Sequence, residues 1–135
     1  MEDRFNDNQR CFVCGKNNQD GLRLEFRTDG ERGEAEAEIA FPERFQGWEH
    51  IVHGGLLAAV LDEAMIKAAW TRGLRSVTGE ITVRYVKPVR VGEHYRLIGR
   101  VTGSRGKIVL AEGELVGRDG EAAARATGKL FKVNV

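Results

Sequence analysis

The chain is 135 residues long, 41% apolar and 30% charged, with a formal net charge of +1 at pH 7. That length makes one domain with a sizeable core, and the composition is neither disordered nor fibrous. Acidic and basic residues are interspersed, so bulk electrostatics give no support for binding nucleic acid or a membrane surface.

The opening MEDRFNDNQR is charged, unlike a signal peptide, and no apolar run approaches the ~18–20 residues of a membrane span. A cytoplasmic protein is the expectation. Residues 1–135 read as a single domain, with 1–20 as a polar, turn-rich arm. Within the arm, Cys11 and Cys14 form a C-x-x-C pair. A structural zinc site takes four ligands; there is no second such pair, and the histidines are His50, His53 and His94. The expectation is therefore no metal, and two reduced cysteines packed in a turn.

LRLEFRT (Leu22 to Thr28) alternates apolar and polar residues, DGERG supplies a turn, and EAEAEIAF (Glu34 to Phe41) alternates again, predicting a hairpin. Pro42 ends it, and a loop runs through ERFQGWEHIV. Gly54 to about Trp70 is predicted as a long helix. Its apolar residues cover every side, so it must be surrounded by the rest of the fold. It has no Ser, Thr, Asp or Asn cap, and Gly73 lies close to its end.

VTGEITVRYV (Val77 to Val86) predicts a strand with Val77, Ile81, Val83 and Tyr85 on one face and Thr78, Glu80, Thr82 and Arg84 on the other. Strands over Glu93 to Ser104 and Lys107 to Gly117 follow, then a last run toward LFKVNV. EAAARA (Glu121 to Ala126) has good helix propensity, but its place after Asp119-Gly120 favours a strand paired to its predecessor. The order β-β-α-β-β-β-β predicts an α+β fold, a curved antiparallel sheet of about six strands wrapped around one central helix.

That helix contains adjacent carboxylates. Glu63 has a local partner in Lys67, four residues on. Asp62 has none, and it lies about two turns past the helix start, too far to act as a cap. A carboxylate among apolar residues is costly unless paired or used. At the start of the same helix, His53-Gly54-Gly55 leaves first-turn N–H groups free, where a carbonyl oxygen gaining negative charge would be stabilised. Helix start and Asp62 are about 10–12 Å apart at 1.5 Å per residue, too far to act on one carbonyl within a chain. The geometry closes when two chains pair, which predicts a site at a homodimer interface.

HGGLLAAVLDEAM, SVTGEITVRYVKPVRVGE and CFVCGKNNQDGLRLEF together resemble the hotdog-fold thioesterase superfamily, in particular its phenylacetate-pathway-like acyl-CoA thioesterase branch. The resemblance runs from about Cys11 to Lys132. It implies a hotdog fold, homodimers that can pair into tetramers, and hydrolysis of acyl-CoA to free CoA and an acid. Asp62 is similar to the family's general base or nucleophile, and Gly54 and Gly55, after His53, to its oxyanion donors. Thr78 falls where relatives carry a hydroxyl that orients the attacking water. The turn Ser104-Arg105-Gly106-Lys107 resembles the segment that contacts CoA phosphates. Relatives often carry Asn or Gln shortly before H-G-G; here Gly47 stands at that spot, and Gln46, Glu49 or His50 would substitute. Glu63 is the alternative carboxylate. No cofactor is implied. A hotdog protein that binds acyl-CoA without hydrolysing it is the main alternative. A domain whose cysteine arm organises a metal, and a hotdog dehydratase, are others.

Overall fold

A computed structural model describes residues 5–133. Residues 1–4 of the expected arm and 134–135 of the expected last strand lie outside the described residues. The elements in chain order are β1 (Arg27–Asp29), β2 (Glu34–Ala40), a 3-10 turn (Glu43–Phe45), α1 (Gly54–Trp70), β3 (Ser76–Tyr85), β4 (His94–Arg105), β5 (Ile108–Val116) and β6 (Ala122–Lys132). The six strands form one antiparallel sheet in the order β1-β2-β4-β5-β6-β3. This is the predicted α+β hotdog arrangement. The stretch EAAARA is strand, as Asp119-Gly120 suggested, with Ala122, Ala123, Ala124 and Ala126 buried.

Alternation decides which face each strand presents. In β2, Ala35, Ala37 and Ile39 are buried, while Glu34 and Glu36 face outward to Arg100 and Arg96. Helix α1 is apolar enough to lie in the resulting trough. Leu57, Val60, Leu61, Ala64, Met65, Ala68 and Ala69 are buried, and every residue of α1 except Gly55 is at least half-covered. The helix approaches β4 so closely at Gly99 that a Cβ there would sit 2.1 Å from the Ala64 carbonyl oxygen. Only glycine fits that contact.

Two local expectations need correction. The predicted strand Leu22 to Thr28 reduces to three sheet residues, Arg27–Asp29, because its first half pairs elsewhere. The Leu22 N–H donates to the Phe12 carbonyl at 2.8 Å and the Leu24 N–H to the Val13 carbonyl at 2.9 Å. The alternation was real, but it serves the arm, whose Val13 is 2% exposed and belongs to the core. The helix also has a cap: His53 Nδ1 accepts from the Gly55 N–H at 2.9 Å.

Candidate active site

Asp62 sits in the middle of α1, half-buried, and the Thr78 hydroxyl of β3 donates to its Oδ1. Burial raises the Asp62 pKa above its ordinary value, and the Thr78 hydrogen bond opposes part of that rise. Along α1, Gly55, Ala59, Asp62 and Ile66 recur at helical spacing and all keep some exposure. This stripe is the side of the helix that its own sheet leaves partly open.

Strict alternation put Thr78 opposite both Val77 and Ile81; the structure separates it from Val77 alone. Thr78 pairs with buried Leu130 and Ile81 pairs with buried Gly128, so both face the helix. A β-bulge between Thr78 and Glu80 leaves Gly79 unpaired and shifts the parity by one. A Cβ on Gly79 would lie 1.9 Å from the partly exposed Phe131 ring, which would have to move to admit one. The bulge aims Thr78 at Asp62.

At the helix start, the two glycines differ. The Gly55 N–H is taken by His53 Nδ1, whereas the Gly54 N–H has no partner among the described residues. His53 thus acts as a cap within this chain. Tyr85, at the end of β3, donates its hydroxyl to the Gly54 carbonyl at 2.8 Å and fixes this corner. Sequence reasoning missed Tyr85; an aromatic hydroxyl ending the strand after the helix was the available signal. Gln46 Oε1 accepts from the His50 N–H at 3.0 Å, and Gln46 bridges Val52 in the loop entering the helix. His50 pairs with Glu49 at 3.3 Å on the surface.

Ser104 and Arg105 end β4 and Gly106 and Lys107 turn into β5, all four exposed, with Arg105 paired to Ile108. Ser104, Val109, Leu130 and Thr78 lie in one cross-strand row. The basic turn is therefore at the Thr78 end of the sheet, about 14 Å away across three strand spacings. Strand β3 is an edge of the sheet, and near it Tyr85, Val86 and Phe131 are exposed.

Glu63 is where local reasoning fell short. Lys67 Nζ is 4.0 Å from its Oε1, but closer partners come from the arm. The Cys14 thiol donates to Glu63 Oε1 at 3.0 Å, and the Cys11 thiol faces Oε2 at 3.7 Å. Burial first, then the hydrogen bond to the adjacent carboxylate, pushes the Cys14 thiol up.

A long helix wrapped by an open six-stranded antiparallel sheet defines the hotdog class. The sequence profile of the thioesterase superfamily matches residues 49–124, more than half of the chain, and the chain belongs to that family. Among solved structures, a thioesterase superfamily protein, RHA08564, superposes with a TM-score of 0.85 at 23% identity, covering 93% of this chain and 61% of that one. The chain thus spans under two thirds of that protein's length. The PaaI protein from the phenylacetic acid degradation operon of E. coli gives 0.76 at 20% identity, covering 84% and 81%. A hypothetical thioesterase from Streptococcus pneumoniae, solved with coenzyme A, gives 0.76 at 16% identity, covering 82% and 86%. Two further structures of a thioesterase from that strain carry alanine in place of an aspartate and of a threonine sixteen positions later.

Proposed function

We propose that the chain is an acyl-CoA thioesterase in which Asp62 acts as general base or nucleophile. The observation that carries this reading is the half-buried Asp62 carboxylate held by the Thr78 hydroxyl on the open side of α1. The aspartate and threonine substituted in the pneumococcal thioesterase have the separation of Asp62 and Thr78, which supports treating the two as a unit. Hydrolysis by this set needs a base or nucleophile and an oxyanion donor, and no metal.

Asp62 would take a proton from water, or attack the thioester carbonyl itself, while Thr78 orients the carboxylate or the water. The oxyanion would be met by the Gly54 N–H, which has no partner among the described residues, at a helix N-terminus. Eight residues of helix put Gly54 about 12 Å from Asp62 of the same chain, so the donor comes from a second copy. The ten-residue edge strand β3 beside Asp62 offers the place where two sheets would join. A homodimer is thus part of the reading, with a homotetramer built on it where dimers pair further. The Ser104 to Lys107 turn would hold CoA phosphates. In that case Arg105→Ala and Lys107→Ala raise KM while kcat is kept; an unchanged KM removes the turn from the site.

The test is release of free thiol from short, long and aromatic acyl-CoAs by the native protein, Asp62→Asn and, as a control on the outer sheet face, Glu112→Gln. Loss of turnover by roughly 10²–10⁴-fold in Asp62→Asn, with Glu112→Gln unaffected, is the expected result. Native protein that binds CoA but turns over nothing in the panel would instead mark a non-hydrolytic binder.

A further inference from the structure

A second cluster of donor groups lies one residue along the helix from Asp62. Cys11 Sγ, Cys14 Sγ and the Glu63 carboxylate bring one ligand atom each to within 4.8 Å of one another. We propose that these three side chains form a divalent-metal site whose preferred ion is zinc, joining the N-terminal arm to α1.

The distances suit it. With metal–sulfur bonds of about 2.3 Å and metal–oxygen bonds of about 2.0–2.2 Å, the edges of a tetrahedral site are roughly 3.5–3.8 Å. Cys11 Sγ lies 3.7 Å from Glu63 Oε2, the length of such an edge, while Cys14 Sγ is at a thiol hydrogen-bond distance of 3.0 Å from Oε1, which would open by about half an ångström when the proton gives way to an ion. The sequence expectation of no metal counted cysteines and histidines alone; the third ligand comes from a carboxylate 49 residues beyond Cys14.

The arm is built to present both sulfurs together. The Gly15 N–H donates to the Cys11 carbonyl at 2.8 Å, closing the C-x-x-C-G turn, and a Cβ on Gly15 would lie 2.4 Å from the Cys11 nitrogen. Buried Val13, between the cysteines, pins the turn to the core. Without an ion, two thiols, which are weak donors, are the nearest partners of a carboxylate whose side chain is only 16% exposed. Two thiolates select zinc over the hard cations magnesium and calcium.

The charge also closes. Two thiolates and a carboxylate around a divalent ion leave one negative charge, and the Lys67 ammonium, 4.0 Å from Glu63 Oε1, faces it. Binding releases the two thiol protons. Beside Cys14 opens a cleft of ≈ 460 Å³ that Lys67 and Trp70 also line, so the fourth coordination position is left to water or a small anion. The site does not rest on the hydrolytic reading, and its test reads metal rather than turnover.

The full chain, purified reduced from zinc-supplemented cells, is assayed for metal by elemental analysis. It is then stripped and titrated with Co²⁺ while thiolate-to-cobalt charge-transfer absorption is recorded. One zinc per chain is expected, together with a charge-transfer band for two thiolates. Cys14→Ser removes most of that band, and the near-isosteric Glu63→Gln keeps it but weakens Co²⁺ binding at least tenfold. Absence of stoichiometric zinc with no charge-transfer band on Co²⁺ addition overturns the proposal. So does a mass two hydrogens short, marking a Cys11–Cys14 disulfide, or Co²⁺ affinity unchanged in Glu63→Gln. The native titration decides the matter even if Cys14→Ser fails to fold.

Discussion

Thr78, near the start of β3, donates its hydroxyl to the carboxylate of Asp62 in the middle of α1. The bond joins a strand to a helix sixteen residues away, and it exists because the Gly79 bulge turns Thr78 inward. Thr78→Val keeps the shape and removes the donor. Turnover should fall by about 10–100-fold, the scale of losing an outer-shell orienting group, while Thr78→Ser retains most of it. Steady-state rates of the two variants on one acyl-CoA decide this; equal rates would mean that the hydroxyl orients nothing.

The same pair sets the pH dependence. Burial raises the Asp62 pKa above its ordinary 3.8, and the Thr78 hydroxyl pulls it partly back. A base must be ionised, so activity falls as pH drops through the raised pKa, and the acidic limb lies higher than for a solvated aspartate. Removing the opposing hydrogen bond in Thr78→Val should move that limb to still higher pH. Because a raised carboxylate pKa means that the folded state favours the protonated form, ionised Asp62 costs stability above that pKa. Asp62→Asn should therefore melt at higher temperature than the native chain at pH 7, with the gap closing as pH falls through the Asp62 pKa. Both measurements are made on chelator-treated protein, so that an ion at Glu63 does not enter.

Much of this was legible because the decisive signals were periodic. Apolar residues around all of α1, alternation in EAEAEIAF and turn residues at Asp119-Gly120 each fixed an element and its buried face. Two of the failures share one physical cause, which is that the partner lies far along the chain. Strict alternation could not foresee the bulge, because the Phe131 ring that lies over Gly79 arrives from β6. The helical i, i+4 rule found Lys67 for Glu63 but could not find two thiols on an arm. Leu22 and Leu24 did alternate, yet their pairing partner was the segment just before them. Asp62 was singled out by the opposite logic, as the helical carboxylate without a local partner, and the structure gives it a distant one in Thr78.

The closeness of helix and sheet gives a stability prediction. At Gly99 an added Cβ would meet the Ala64 backbone at 2.1 Å, and backbone cannot swing aside. Gly99→Ala should destabilise the fold by about 3 kcal/mol, the upper end for overpacking. Gly103→Ala, on the same strand, meets nothing nearer than 3.9 Å and should cost less than about 1 kcal/mol. Urea midpoints at constant m-value give both numbers. Equal losses would mean that the strand tolerates glycine replacement uniformly and that the helix contact is not what selects Gly99.

The placement of the oxyanion donor yields the sharpest test of the dimeric site. Gly54 is the first residue of α1, its N–H has no partner among the described residues, and its neighbour Gly55 has its N–H occupied by His53. Proline is tolerated at the first helical position and lacks that N–H, so Gly54→Pro removes the donor while sparing the helix. Asp62→Asn removes the other half of the site. Each variant alone should be inactive. If the two halves come from different chains, a mixed dimer of the variants contains one site with neither group and one with both. Random exchange makes half of the dimers mixed, so an equal mixture, unfolded and refolded together, should recover about one quarter of native activity. Were Gly54 and Asp62 of one chain to serve the same site, no mixture could hold an intact pair and the activity would stay at background. Recovery near one quarter assigns the thioester to the interface; background activity in a mixture shown to contain mixed dimers returns it to a single chain.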